Sequence, residues 1–134
     1  MLERQIVGFS RYQDSSGMWH QLLDRPESYL ESSVTAMFIY TVAKAVNEGW
    51  IPKRYLTIAY KGWNALSKKI TADGQVPDIC IGTSVEDDIS YYFLRPAELN
   101  DTHGLGAFLM AGAEIIRAKD LLAEIEKRRT GSQR

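Results

Sequence analysis

The fold of this chain is decided by residues 13–45, which read QDSSGMWHQLLDRPESYLESSVTAMFIYTVAKA. A turn at residues 14–17 leads into a short aromatic run, and a polar loop then carries the chain to a helix that begins near Ser33. Residues 34–46 are apolar at nearly every position, whereas a surface helix keeps one polar face. We therefore expect this helix to be buried on all sides.

The start of the buried helix carries the first candidate site. Ser32 or Ser33 can accept a hydrogen bond from a free backbone N–H of the first turn, and Glu31 favours the positive end of the helix dipole. The preceding loop brings Trp19 and His20 to the same end of the helix. Free N–H groups, polar side chains and an aromatic face together predict the wall of a ligand pocket.

The amino-acid composition limits the kinds of protein to which this chain can belong. The chain has 134 residues, 45% hydrophobic and 25% charged, as in one ordinary globular domain. Its net charge is −1 and no basic stripe alternates with aromatic residues, so a nucleic-acid partner is not expected. No apolar run approaches the ~20 residues that cross a membrane, and residues 1–4 are not followed by a signal-peptide core. We expect a cytoplasmic protein, or a chain whose natural beginning is missing.

The sequence gives little support for a bound metal or another cofactor. Cys80 is the only cysteine, which excludes an internal disulfide, and with the two histidines it forms no metal-ligand spacing. The glycines at 104 and 106 do not follow a strand, as those of a phosphate loop would, and close packing of a buried helix explains them better. The sequence predicts neither a metal nor another cofactor.

The second half of the chain repeats the pattern of the first. Residues 2–12 have the spacing of an amphipathic helix, and residues 53–70 have it again. Each of these helices leads to an Asp/Gly turn and a short extended piece. A polar loop then precedes a second apolar helix, which spans residues 105–118. The repeated unit is an amphipathic outer helix, a turn, an extended piece, a loop and a buried inner helix.

The register of this repeat follows from the two apolar helices. It places four residues of the first unit over four of the second: Glu31 over Asp101, Ser33 over His103, Phe38 over Phe108 and Ala43 over Ala113. Repeats of this kind predict an all-α fold of stacked helical hairpins, with residues 34–47 and 105–117 among the least exposed. We expect about two hairpin repeats in residues 1–118. Residues 119–134 are expected to form a charged helix to Arg129 and a disordered tail.

Four segments together resemble a known family. They are residues 14–24 (DSSGMWHQLLD), 29–38 (YLESSVTAMF), 91–96 (YYFLRP) and 100–106 (NDTHGLG). They are similar to the C-terminal part of the unsaturated glycuronyl hydrolases of glycoside hydrolase families 88 and 105, especially the unsaturated rhamnogalacturonyl hydrolases. The resemblance covers roughly residues 2–118. His20 departs from it, because relatives often carry another aromatic residue there, and residues 84–88 replace a more glycine-rich loop.

The resemblance implies a fold and a reaction. The fold is a six-hairpin α/α toroid, of which this chain would be a part. The reaction removes a 4,5-unsaturated uronic acid from the non-reducing end of oligosaccharides that polysaccharide lyases produce. An aspartic acid protonates the vinyl ether, water adds, and the hemiketal opens. Such a donor must be protonated near neutral pH. The family's donor lies in its N-terminal half, so no catalytic residue is assigned here, and we expect the isolated chain to be inactive.

The expected contacts to substrate come from residues of both repeats: Trp19, His20, Glu31, Ser33, Arg95, Asp101 and His103. Each has a structural alternative. Trp19 stacks on a sugar ring or fills the space between hairpins. Glu31 and Asp101 contact substrate or satisfy helix dipoles. Arg95 holds a carboxylate through its planar fork or pairs with Asp87 or Asp88. His103 contacts substrate, or caps the second buried helix and pairs with Asp101.

Two hypotheses about function and two about partners remain open. The chain is either part of a hydrolase that binds an oligosaccharide with an unsaturated uronate, or a non-catalytic helical binding or assembly module. Its inner helices have apolar faces that other hairpins would cover in a closed toroid. The sequence therefore predicts self-association, most simply as a two-fold dimer, or a complementing N-terminal half.

Overall fold

The computed structural model describes residues 1–123 and 127 of the chain. Five α-helices have defined bounds: α1 (Leu2–Ser10), α2 (Ser32–Asn47), α3 (Leu56–Leu66), α4 (Ile89–Phe93) and α5 (Thr102–Arg117). Two 3₁₀ turns, Lys53–Tyr55 and Ser67–Lys69, flank α3. Residues 119–123 are also helical. The expected extension of this last helix to Arg129 and the disordered tail fall mainly on residues 124–126 and 128–134, outside the described residues.

Four strands of two residues each complete the fold: β1 (Trp19–His20), β2 (Leu30–Glu31), β3 (Ile79–Cys80) and β4 (Ala97–Glu98). They form two antiparallel pairs, with Trp19 opposite Glu31 and Ile79 opposite Glu98. The sequence predicted extended pieces around β1 and β3 but not their partners. β2 and β4 each contain one apolar residue and one glutamate, and strands this short are identified only by their pairing. The all-α prediction is confirmed.

The predicted repeat is present in the structure. α2 and α5 each contain 16 residues, and both ends are displaced by 70 positions, from Ser32 to Thr102 and from Asn47 to Arg117. The outer helices stack on them through aromatic rings. Phe9 lies 4.0 Å from Phe38 between ring centroids, and Trp63 lies 5.3 Å from Phe108. Each hairpin thus joins an outer helix to an inner one through a pair of aromatic rings, which is stacked in the first hairpin and tilted by 37° in the second.

The core lies between the two repeats. α2 packs against both α3 and α5, and its buried side chains include Ala36, Ile39, Val42 and Ala43. Leu56 and Leu66 of the second outer helix are fully buried in the same cluster. This arrangement places the N-termini of α2 and α5, with the strand pairs that precede them, on the same side of the chain. Among the described residues, no helix has the length and apolarity needed to cross a membrane.

Two expectations about the inner helices are corrected. α2 is not capped by Ser32 or Ser33, because the Glu31 side chain accepts hydrogen bonds from the backbone N–H groups of Ser33 and Val34. Neither inner helix is buried on all sides, because Met37 of α2 is 45% exposed and Leu109 and other apolar residues on one face of α5 are exposed. Within the described part of the chain, no further hairpin packs on that face, so its apolar sequence does not lead to burial.

Candidate functional site

The N-terminus of α2 is organised around the buried carboxylate of Glu31. This side chain is 1% exposed. Its Oε1 atom accepts from the backbone N–H of Ser33 at 2.9 Å and from the backbone N–H of Cys80 at 3.0 Å. Its Oε2 atom accepts from the backbone N–H of Val34 and, at 2.9 Å, from the Ser33 hydroxyl. Because Cys80 belongs to the second repeat, Glu31 both caps α2 and joins the two hairpins.

Trp19 lies beneath this carboxylate and is fully buried. Its indole N–H donates to the Phe9 carbonyl at 2.8 Å, and its backbone N–H donates to the Thr35 hydroxyl at 3.0 Å. Its ring meets the edges of Phe9 and Phe38 at centroid distances of 5.9 and 5.3 Å. Neither face of the indole is open to a sugar ring. The structure places Trp19 between the hairpins, which was the alternative to a stacking platform.

His20 is also largely buried and holds the first loop together. Its Nδ1 atom lies 2.6 Å from the Ser28 carbonyl, and its Nε2 atom lies 3.7 Å from the Asp14 carboxylate. Hydrogen bonds from the backbone and side chain of Ser16 are the main causes that lower the pKa of Asp14 from 3.8 to about 2. Asp14 is therefore a carboxylate at neutral pH and cannot donate a proton to a substrate.

The first repeat therefore supplies few groups that a ligand could reach. Of the predicted contacts, four lie in this region, and each is at most 9% exposed: Trp19, His20, Glu31 and Ser33. Their hydrogen bonds are already made within the chain. Within this chain their polar groups determine the shape of the loop, and their role as substrate contacts stays a prediction.

The N-terminus of α5 has the same capping geometry but an open environment. Asp101 caps the helix, accepting from the backbone N–H of His103 at 2.9 Å. The same oxygen lies 2.6 Å from Nδ1 of the His103 ring. The His103 side chain is 58% exposed, compared with 17% for Asp101. The predicted pairing of these two residues is present, and the exposed edge of the imidazole stays available to a ligand.

Arg95 reaches the same place from the loop before β4. Its Nε and Nη2 atoms donate to the Gly82 carbonyl, at 2.8 and 2.5 Å, and its guanidinium lies 4.9 Å from the Tyr91 ring centroid. Within the described residues no salt bridge to Asp87 or Asp88 forms, so that alternative is corrected. Part of the predicted planar fork is used by Gly82, which leaves Nη1 for an additional acceptor.

Gly82 brings Arg95 and His103 together, and the sequence analysis missed it. Its φ is +98°, and a Cβ built on it would lie 3.3 Å from Nε2 of His103. Its carbonyl receives Arg95 on the other side. A side chain at this position would be strained and would crowd the imidazole. We name Gly82, Tyr91, Arg95, Asp101 and His103 the α5 cluster. The only sign of Gly82's role in the sequence was its position just after the short apolar strand that ends before Ile81.

The electrostatics of the α5 cluster favour binding over proton transfer. The backbone N–H of His103, and then its ring, hold the pKa of Asp101 below its usual value of 3.8. Asp101 is therefore a carboxylate at neutral pH, and it orients the imidazole rather than donating a proton. The half-buried guanidinium of Arg95 and the exposed imidazole of His103, beside a helix N-terminus, suit a bound anion. Among the described residues, no three His, Cys, Asp or Glu side chains gather into a metal site.

A second residue that the sequence did not single out lies behind this cluster. The hydroxyl of Tyr29 is buried and has no hydrogen-bond partner among the residues that the structure describes. Burial is the main cause that raises the pKa of Tyr29 above its usual value. Nearby, Cys80 Sγ accepts from the Gln21 amide at 3.6 Å. These groups link the loop of the first repeat to β3 of the second.

Comparison with known proteins gives consistent matches. The family described as Glycosyl Hydrolase Family 88 matches residues 1–119. An unsaturated rhamnogalacturonyl hydrolase, YesR of Bacillus subtilis, is 31% identical over 121 residues, which are 90% of this chain and 33% of that protein. An unsaturated 3S-rhamnoglycuronyl hydrolase of Formosa agariphila is 33% identical over 112 residues, covering 81% of this chain and 28% of that one. The chain thus spans about a third of these relatives' length.

Solved structures agree with the fold. A crystal structure from Salmonella enterica, described as a possible member of the GH105 family, is similar with a TM-score of 0.80 at 33% identity. The match covers 87% of this chain and 31% of that one. A family 105 glycoside hydrolase of C. acetobutylicum has a TM-score of 0.76 at 28% identity, and the match covers 84% of this chain and 35% of that one. The helical hairpins are therefore part of an α/α toroid, which confirms the predicted fold class.

Proposed function

Because the chain belongs to Glycosyl Hydrolase Family 88, we propose that it forms a substrate-binding wall of a hydrolase that acts on unsaturated uronides. The reaction removes a 4,5-unsaturated uronic acid from the non-reducing end of an oligosaccharide by hydration of its vinyl ether. The relatives named for unsaturated rhamnogalacturonyl and rhamnoglycuronyl substrates support this class. An oligosaccharide ending in an unsaturated uronate is the proposed ligand, and rhamnogalacturonan fragments are the first to test.

The α5 cluster is the observation that carries this proposal. It combines a guanidinium, an exposed imidazole and the first turn of a helix, three groups that attract a carboxylate. Arg95 and His103 are held around Gly82 by backbone contacts, so the ligand would not need to order them. The ring of Tyr91 and the imidazole offer flat surfaces beside the charge. We assign the uronate carboxylate to Arg95 and a ring hydroxyl to His103.

The same residues do not supply the proton that starts the reaction. Protonation of the vinyl ether needs a neutral carboxylic acid. Asp14 and Asp101 have pKa values below the ordinary range, so both are ionised at neutral pH. In this proposal, the chain binds and orients the unsaturated sugar, and the general acid comes from outside it. The alternative function is a non-catalytic binding or assembly module, which the buried positions of Trp19 and Glu31 favour.

We expect Arg95→Met to weaken binding of an unsaturated galacturonyl-rhamnose disaccharide by about 10- to 100-fold. The reason is the loss of a charge-assisted hydrogen bond, worth about 1.5–3 kcal/mol. Isothermal titration calorimetry on the purified chain measures this. Arg54→Met is the matched control, because Arg54 also lies 4.9 Å from a tyrosine ring but is far from the α5 cluster. Equal weakening in both variants, or no binding by the wild type, would refute the proposed site.

We expect the purified chain to leave the unsaturated disaccharide intact. The physical reason is that Asp14 and Asp101, whose pKa values are lowered, are ionised at neutral pH and cannot protonate the double bond. The conjugated uronate absorbs in the ultraviolet, so the absorbance of a mixture of chain and disaccharide should stay constant. A steady fall in absorbance that scales with protein concentration would show that this chain holds its own general acid.

A further inference from the structure

One face of α5 is apolar and uncovered. Leu109 and Ile116 are 71% and 75% exposed, and Gly106 and Ala113 are exposed on the same side. These four residues are spaced so that they fall on one stripe of the helix, which we name the head face. Within residues 1–123 and 127, no element packs over it. Exposed large aliphatic side chains in a row are typical of an interaction surface.

The repeat shows what this face normally contacts. At the displacement of 70 residues, the head face corresponds to four residues of α2: Ala36, Ile39, Ala43 and Val46. All four are buried, at 0% to 4% exposure. The second hairpin packs against α2 and covers these four residues. The head face therefore has the side chains of a hairpin contact, and none of the described residues covers it.

The contact made by Ile39 defines the kind of partner that the head face needs. Ile39 lies against Gly62 of the following outer helix, where a built Cβ would come within 2.9 Å of Ile39 Cγ1. Any side chain at Gly62 would have to displace Ile39, so the glycine is the hole that receives it. Leu109 is the equivalent of Ile39. It requires an outer helix with a glycine at the same position.

The first outer helix of this chain has a glycine, Gly8, at the position that corresponds to Gly62, and no side chain of the described residues packs on it. Gly62 is followed by Trp63, whose ring packs at a tilt of 37° on the inner-helix residue Phe108. Gly8 is followed by Phe9, whose ring stacks on Phe38, the equivalent inner-helix residue. Gly8 is therefore the counterpart of Gly62. A Cβ built on Gly8 meets no atom within 4 Å.

The surroundings of Gly8 form the other open end of the repeat. Gly8 is partly exposed, and Gln5, three positions before it on α1, is exposed. On the adjacent inner helix, Met37 is 45% exposed, whereas its counterpart Ala107 in α5 is 5% exposed. We name Gly8 and Met37 the tail face. Among the described residues, none packs on Gly8 as Ile39 packs on Gly62.

We propose that copies of this chain associate head to tail, with Leu109 of one copy seated over Gly8 of the next. The contact continues the interface that the two hairpins already share within one chain, so it needs no new kind of packing. The head and tail faces are different surfaces. Each bound copy therefore keeps one free face, and association continues beyond two copies. This replaces the two-fold dimer that the sequence suggested.

Sedimentation velocity across a dilution series tests this proposal with one variant for each face. The wild-type average mass should rise with concentration to more than twice the monomer mass of 15.2 kDa. Leu109→Glu blocks the head, and Gly8→Leu fills the hole with a side chain whose Cβ has no atom of its own chain within 4 Å. Each variant alone should remain monomeric. An equal mixture should form a one-to-one pair, because one variant keeps its tail and the other its head.

Leu94→Glu is the matched control, since Leu94 is 79% exposed but lies outside both faces, and its association should equal that of the wild type. Ile116→Glu provides a second head variant, and circular dichroism checks that all variants are folded. A monomeric wild type at every concentration would overturn the proposal and favour a separate polypeptide as the partner. Loss of association in Leu109→Glu alone, with no pairing in the mixture, would overturn it in favour of a two-fold contact.

Discussion

Glu31→Ala is expected to lower the free energy of unfolding by about 3–5 kcal/mol. The substitution removes the acceptor for the backbone N–H groups of Ser33, Val34 and Cys80, all at a buried site. Each buried donor left without a partner costs about 1–3 kcal/mol. The substitution also removes the N-cap of α2. With it goes the hydrogen bond by which the Glu31 side chain links the start of α2 to Cys80 of β3. A domain of this size is stable by only about 5–15 kcal/mol. Denaturant titration followed by circular dichroism measures the loss.

Asp101→Ala is the matched control for this prediction. Asp101 occupies the equivalent cap of α5, but it accepts only one backbone N–H, that of His103, in an open environment. Loss of an exposed cap costs about 1 kcal/mol. If the two variants lost the same stability, the buried bond to Cys80 would contribute nothing, and Glu31 would be an ordinary helix cap.

Trp19→Ala should have a similarly large effect, about 3–5 kcal/mol, since the indole is fully buried between α1 and α2. The variant loses the contacts with Phe9 and Phe38, and the Phe9 carbonyl loses the indole N–H as a donor while it keeps the backbone N–H of Tyr12. Trp19→Phe keeps a ring in the cavity and should cost less. Chemical denaturation followed at a helical circular dichroism band is suitable, because it does not depend on tryptophan fluorescence.

Trp50→Ala serves as the control, because Trp50 is 63% exposed and its loss should change stability by no more than about 0.5 kcal/mol. The comparison also separates the two roles considered for Trp19. A sugar-stacking Trp19 would give a variant that is as stable as wild type but binds the unsaturated disaccharide more weakly. A tryptophan that fills the space between hairpins gives a large loss of stability.

The architecture was readable from the sequence because periodicity reports local structure directly. The bounds of α2 follow from an apolar run that ends at Asn47 before Gly49, whose positive φ of 70° suits the end of a helix. The displacement of 70 residues between the inner helices was also visible, because both carry a phenylalanine at the same position. The family resemblance follows from local motifs of the same kind.

The candidate site was only partly readable, because residue type does not report accessibility. Trp19 and Arg95 were both good candidates for a pocket by chemistry. One is fully buried, and the other is held by the Gly82 carbonyl at the surface. Gly82 itself carried no chemical signal. Its importance comes from a contact with His103, 21 positions later, which only the folded chain creates.

The sequence by itself determined the helices, their repeat and the apolar character of both inner helices, since these depend on the spacing of side chains along one segment. Only the tertiary structure decided which apolar faces are covered. Ile39 and Leu109 are equivalent in the repeat, yet one is fully buried and the other 71% exposed. The difference is that a second hairpin packs on α2, while none of the described residues packs on the corresponding face of α5. Burial is a property of neighbouring elements, and no local pattern encodes their presence.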